Sequence, residues 1–364
     1  MTITSLRITD FRNLAEVEID PCQQGLNIIC GNNGSGKTSL LEAIHYLGLG
    51  RSFRSSNASR LIRHDQNKFS LFAQLLIDQQ RHVPVGVERD HAGTMRLRAE
   101  EKELSSITEL AAYLPTRVIN SHSHHIFESG PIYRRKYLDW GLFYQFENFL
   151  LAWRLFERSL KQRNAALRIT RTKKEIEAWT DELIKHGSEL DRLRQEYVQM
   201  LRPQIGQVAA TLLDIPNLDI QYLSGWQNGV EYSNALAASL EDDIRFGHTQ
   251  NGPHRADLDV TIEGVPVKHI LSRGQQKLLI CAMIISQGLL LDKHLNKGLI
   301  YLIDDLPSEL DIQSKRKLIS LLAEQNTQVF ITSIESAAIC DFINGELKVP
   351  LKVFHVEHGQ IGSN

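Results

Sequence analysis

One stretch limits the fold of this chain more than any other. Gly31-Asn32-Asn33-Gly34-Ser35-Gly36-Lys37-Thr38 fits the pattern G-x-x-x-x-G-K-[ST]. Before it, Leu26-Asn27-Ile28-Ile29-Cys30 reads as a short buried strand; after it, Leu40, Leu41, Ile44 and Leu47 recur at helical spacing. A strand, a glycine loop and a helix in immediate succession aim main-chain N–H groups and a positive helix end at one point, where a phosphate can sit. Gly31, Asn32, Asn33, Gly34, Ser35 and Gly36 are therefore expected to wrap the phosphates, with Ser39 in the first helical turn. Lys37 would reach the β- and γ-phosphates of a nucleotide, and the Thr38 hydroxyl would bind Mg2+.

A chain of 364 residues has room for two domains, or for one core with a large insertion. The 41 basic and 43 acidic residues leave a net charge of −2, so any nucleic-acid surface must be a local patch. Cysteines at 22, 30, 281 and 340 form no C-x-x-C pair, which argues for a reducing compartment without a zinc site or disulfide framework. No signal-peptide pattern opens the chain and no run of 18 apolar residues interrupts it, so a cytoplasmic, membrane-free protein is expected.

Leu6 and Ile8 lead into Phe11-Arg12-Asn13, and Ala15-Glu16-Val17-Glu18-Ile19 alternates as a half-exposed strand does. Gly50-Arg51-Ser52-Phe53-Arg54, then Arg60, Arg63, His64 and Lys68, are locally basic; a solvated loop and a phosphate- or DNA-contacting loop fit this spacing equally. A strand pair is predicted over 69–77 and 82–88. From Ser105 the pattern turns helical. Tyr133-Arg134-Arg135-Lys136-Tyr137 opens a helix in which Tyr137, Trp140 and Phe143 have core spacing, leaving the arginines for either role. Phe149, Trp153, Phe156, Leu160 and Leu167 make one stripe; Ile176, Trp179, Leu183, Leu190, Leu193, Tyr197 and Met200 make another. Ile169-Thr170-Arg171-Thr172 separates them, which predicts an antiparallel helical hairpin. Beyond Pro203 the chain is expected to return to strands over 218–223 and 258–262, around the polar turn His248-Thr249-Gln250-Asn251-Gly252-Pro253-His254-Arg255. His122, His124 and His125 lack cysteine or carboxylate partners at ligand spacing and read as solvated or capping residues.

Leu271-Ser272-Arg273-Gly274-Gln275-Gln276-Lys277 precedes an apolar helix, and a small polar residue with glycine at a helix start makes an anion site. Leu299-Ile300-Tyr301-Leu302-Ile303-Asp304-Asp305 is a buried strand ending in two carboxylates. At the mouth of an α/β sheet Asp304 is placed to hold Mg2+ opposite the P-loop, and Asp305 to orient an attacking water. Val329-Phe330-Ile331-Thr332 is a further buried strand that would bring Ser333 near the γ-phosphate.

In this order the pieces resemble the ATP-binding-cassette superfamily, within it the DNA-repair heads that include SMC and Rad50 proteins, and more closely the bacterial RecF family of recombination mediators. The resemblance spans essentially the whole chain. It is carried by Phe11-Arg12-Asn13, the P-loop, Gly50-Arg51-Ser52-Phe53-Arg54, Tyr133-Arg134-Arg135 through Asp139-Trp140-Gly141, Gly252-Pro253-His254-Arg255, the Ser272 segment and the Asp304-Asp305 strand. It implies an α/β ABC-type ATPase head with mixed sheets around the P-loop helix, built from residues 1–125 and 291–364. A mainly helical domain carrying the hairpin and the signature would be inserted over 126–290. The resemblance also implies ATP and Mg2+ as ligands, with Lys37, Asp304, Asp305 and Ser272 as the catalytic set. Ser272, Gly274 and Gln275 would cap the γ-phosphate in a partner subunit of an ATP-dependent homodimer. It further implies a weak DNA-dependent ATPase that binds single- and double-stranded DNA at junctions and works with RecR and RecO to load RecA. Arg51, Arg54, Arg134 and Arg135 are the candidates for DNA contact. Asp305 stands where transporter cassettes carry glutamate, Ser333 where they carry histidine, and no Q-loop glutamine is evident; slow hydrolysis is expected. The alternatives are a transporter subunit, which needs a coupling surface, and a chromosome-organising head. The latter needs a coiled coil longer than a hairpin of roughly 50 residues at about 1.5 Å per residue supplies.

Overall fold

Strands dominate the first hundred residues of the computed structural model, which describes residues 1–55, 57–78, 80–169, 173–215, 217–295, 298–305, 310–325, 327–333 and 336–363. The chain divides into two compact units, one formed by Met1–Ser123 with Leu291–Asn364 and the other by His124–Leu290. Residues 170–172 of the hairpin turn and 306–309 after the carboxylate pair lie outside the described residues.

In the first unit the helix Lys37–Leu49 lies between two six-stranded sheets. One sheet is antiparallel and contains Thr2–Phe11, Leu14–Ile19, Lys68–Ile77 and Arg81–Asp90; the last two pair from Lys68↔Asp90 to Ile77↔Arg81. The other sheet runs Gln360–Ser363, Leu351–Glu357, Gly25–Cys30, Gln328–Ser333, Ile300–Ile303, Thr116–Ile119, parallel except for its first pair. Gly25–Cys30 is buried at every position because parallel neighbours flank it and both of its faces are covered, so its sequence reads as a run and not as an alternation. The P-loop helix has eleven buried residues among thirteen, which is why it lacks a strong polar face. Phe11, Tyr46 and Phe69 meet edge-on in this core, with centroids 5.1–6.2 Å apart. The closing hairpin Leu351–Glu357 with Gln360–Ser363 was not foreseen in the sequence. It turns at His358-Gly359, both at positive φ.

The second unit is helical, with a three-stranded sheet of Leu218–Leu223, Asp257–Ile262 and Val265–Pro266. Helices Phe149–Ile169 and Lys173–Leu212 pack antiparallel: Asn148 Nδ2 donates to Glu189 at 2.9 Å, and Arg163 Nε to Thr180 at 2.9 Å further along. The expected helix end at Pro203 is corrected. Leu201, Ile205, Val208, Ala209 and Leu212 continue the buried stripe past it, so packing outweighs the hydrogen bond that proline removes. The fully buried Arg163 also donates to Asp243 at 2.8 Å and Thr249 at 2.7 Å, which ties the elaborate polar turn to the hairpin. The helix Arg273–Leu295 contains the one described stretch apolar and long enough to cross a membrane, and most of that stretch is buried in the protein.

Candidate nucleotide-binding site

Two backbone positions show why the loop needs glycine. Gly31 has φ +147° and a Cβ there would collide with the Val356 carbonyl; Gly36, at φ +125°, precedes the helix. The Lys37 ammonium folds back over the loop and donates to the Gly31 and Asn32 carbonyls at 2.7 and 2.9 Å. Asn13 holds the loop from the antiparallel sheet, donating to the Gly34 and Ser35 carbonyls while accepting from Ser39 Oγ at 2.8 Å. From the other side, Gly359 N–H donates to the Ser35 carbonyl at 2.9 Å.

Across from the loop, Thr38 Oγ1 donates to Asp304 Oδ1 at 2.9 Å. Thr332 Oγ1 donates to the same oxygen at 2.9 Å and accepts the Asp305 N–H at 2.7 Å, so one threonine sets both carboxylates. Burial raises the Asp304 pKa above the ordinary carboxylate value; the bonds from Thr38 and Thr332 oppose this, the Asp305 charge adds to it, and Arg54 opposes it. Asp305 is exposed with φ +45°, an uncommon conformation for a residue with a side chain. Ser333 closes its strand in register with Cys30, one residue ahead of the loop. Thr38, Asp304, Asp305 and Ser333 thus gather with Lys37 at one end of the parallel sheet. A hydroxyl and a desolvated carboxylate side by side there are hard oxygen ligands of the kind that Mg2+ takes.

The basic stretch 51–54 folds beside this site. Glu42, wholly buried on the P-loop helix, accepts two bonds from Arg12 at 2.9 and 2.7 Å and a short one from Ser52, and lies 3.6 Å from Arg54 Nη1. Arg51 and Arg54 are both exposed, and the charge of Arg54 also acts on Asp304. Glu42→Ala would leave Arg12 without its counter-charge and is expected to lower the unfolding free energy by about 3–5 kcal/mol, as removal of one partner of a buried pair does. Denaturant unfolding would measure this, and a loss below about 1 kcal/mol would reduce the pair to a surface contact.

In the helical unit, Ser272 and Gln275 cap the helix Arg273–Leu295 reciprocally: Ser272 N–H donates to Gln275 Oε1 at 3.0 Å, and Gln275 N–H to Ser272 Oγ at 3.3 Å. Ser272 and Gln275 are exposed and Gly274 half-buried. Arg134 and Arg135, both half-buried, make bonds within the helical unit. Arg134 grips Asp257 with Nε and Nη2 at 2.6 and 2.9 Å and the Ile126 carbonyl with Nη1, and Arg135 Nη1 donates to the Ala256 carbonyl at 2.8 Å. Arg134 fastens the helix Pro131–Gln145 to the first residue of the strand Asp257–Ile262, and Arg135 fastens it to the residue just before that strand. Tyr137 is core, its hydroxyl donating to the Met283 carbonyl; Trp140 and Phe143 are half-buried. His125 stacks on Tyr133 and bonds Ser129, while His124 lies 3.5 Å from Glu128. Sequence reasoning gave no role to Glu42 or Gly359, whereas it placed the strand end at Thr332-Ser333 near the γ-phosphate.

The family described as "RecF/RecN/SMC N terminal domain" matches residues 2–361. The DNA replication and repair protein RecF of Stutzerimonas stutzeri is 42% identical over 362 residues, spanning 99% of this chain and 97% of that protein. RecF of Shewanella loihica is 40% identical over 361 residues, spanning 99% of each. A solved recombination mediator protein RecF-ATP of the RecFOR pathway superposes with a TM-score of 0.86 at 25% identity, over 100% of this chain and 97% of that one. An Smc head domain from Pyrococcus furiosus shares the fold at a TM-score of 0.60 and 13% identity, over 100% of this chain and 96% of that one.

Proposed function

The chain belongs to the RecF family, and from that premise we propose that it is an ATP-dependent DNA-binding protein of recombinational repair. It dimerises on ATP at junctions of single- and double-stranded DNA, helps RecR and RecO load RecA, and releases through slow hydrolysis. The observation that supports this reading is the 2.9 Å bond between Thr38 and Asp304, which sets a hydroxyl and a carboxylate side by side next to the phosphate loop. Thr38 and Asp304 would hold Mg2+, which supplies neutralisation of charge on the β- and γ-phosphate oxygens. Lys37 exchanges its two loop carbonyls for phosphate oxygens. Asn13 and Gly359 keep the loop main chain in place, so its N–H groups need little reorganisation. Asp305 orients water for attack. The relatives, a DNA replication and repair protein and an ATP-bound mediator of the RecFOR pathway, support the biological setting. The absence of a histidine at 333 and the presence of exposed arginine near the P-loop favour it over a transporter subunit.

DNA binding measured with ATP, ADP and no nucleotide, on duplex, single-strand and junction substrates, tests the reading. Affinity should be highest for junctions with ATP and Mg2+ and should fall steeply with salt. Arg51→Ala should flatten the salt dependence by about one unit of slope if it contacts phosphate. Equal affinity with all three nucleotide states would refute ATP control.

A further inference from the structure

The outward face of the helix Phe149–Ile169 carries a basic stripe that the nucleotide site does not use. Arg158, Lys161 and Arg168 are three and seven residues apart, so they share one face over about 15 Å of helix. All three are exposed, and among the described residues they make no ion pair. They line an open groove of about 580 Å³, in whose described lining Glu157 is the one carboxylate. The last of the cations meets the neighbouring helix Leu240–Phe246, where Arg168 Nε donates to the Gly247 carbonyl at 3.1 Å. Next to that carbonyl, Phe246 is 55% exposed. The Arg245 guanidinium lies over its ring, 4.5 Å from the centroid, and the His248 ring is 6.3 Å away. Asp242 is matched by Arg245 at 2.7 Å, and Glu241 stands at the opposite end of that short helix. The groove is thus basic on balance and ends at an open aromatic ring.

We propose that this surface binds single-stranded DNA, its phosphates along Arg158, Lys161 and Arg168 and one base stacked on Phe246. This rests on the DNA-binding function proposed above and gives it a place in the helical unit. Cations on successive turns of one helix face suit a chain of phosphates. An exposed ring beside them offers a π-face that any base can take. In a duplex the bases are held in the stack, out of the ring's reach, so the aromatic favours a single strand. An acidic protein segment would meet the cations and leave the ring without a stacking partner.

Fluorescence anisotropy of the full chain with ATP and Mg2+ tests this on labelled oligothymidylate, an abasic strand of equal length and a duplex of equal length. Phe246→Ala should weaken oligothymidylate about tenfold and leave the abasic strand and the duplex within about twofold. Phe246→Trp should keep the wild-type affinity. Replacing Arg158, Lys161 and Arg168 together by alanine should lower the slope of log affinity against log salt by about two units on both single strands. Melting temperature and ATP affinity, unchanged in every variant, check the fold. No loss of oligothymidylate in Phe246→Ala, an equal loss on the abasic strand, or an unchanged salt slope in the triple variant would overturn the proposal. Displacement of oligothymidylate by poly-L-glutamate as efficient as by unlabelled oligothymidylate would also overturn it, in favour of an acidic protein. Junction DNA tests the function itself separately. If wild type binds junctions under ATP control while no variant alters single-strand binding, this site alone falls; if wild type binds no DNA, both fall.

Discussion

Asp304→Asn is expected to lose Mg2+-dependent ATP binding and ATP-driven dimerisation together, with nucleotide affinity in Mg2+ falling on the order of a hundredfold. Asparagine still accepts the bonds from Thr38 and Thr332, so the change removes charge from the site and little else. The raised pKa adds a second readout. Because the folded-state value stands above the unfolded one, the ionised carboxylate costs stability above the raised pKa, and the cost disappears as pH falls below the unfolded value. At pH 8 without nucleotide or metal, Asp304→Asn should therefore melt no lower than wild type, while gaining less from ATP and Mg2+. Asp305→Asn should differ: ATP-bound dimers persist while turnover falls, because that residue is exposed and, on the proposed reading, would position water. Titration of a fluorescent ATP analogue with Mg2+ or EDTA, alongside melting curves, separates the two. Indistinguishable ATP affinities would end the division of labour between the carboxylates.

Ser272→Arg should bind ATP as wild type does and yet neither pair nor hydrolyse above the level of the monomer. Ser272 sits exposed at a helix start, where its loss costs only about 1 kcal/mol of capping, so the fold survives. The much longer arginine side chain in its place would clash with the partner's site and hold the two protomers apart, weakening association on the order of a hundredfold or more. Gel filtration with ATP would show a monomer. A dimer of normal affinity would remove the signature from the interface.

The phosphate loop and the carboxylate strand were legible in the sequence because their chemistry is contiguous: glycine spacing, a lysine and a strand that ends in charge. The residues that make the site rigid were not. Asn13 reaches the loop from the turn between two strands of the other sheet, Gly359 from the far end of the chain, and Glu42 looks like any helical glutamate until Arg12 and Ser52 close on it. Each acts through long-range packing that leaves no local period. The bonds of Arg134 and Arg135 were hidden for the same reason, since a basic cluster looks alike whether it faces phosphate or grips Asp257. Pro203 misled because a local helix breaker lost to a buried stripe on either side of it.

Sedimentation velocity of the wild-type chain, run with ATP and Mg2+, with ADP and Mg2+, and without nucleotide, tests the central claim most directly. The account predicts a dimer with ATP and Mg2+ and monomers in the other two states, because the γ-phosphate is what Ser272 of one protomer would bind on its partner's P-loop. A dimer that forms equally well with ADP or with no nucleotide, or a monomer throughout, would contradict it.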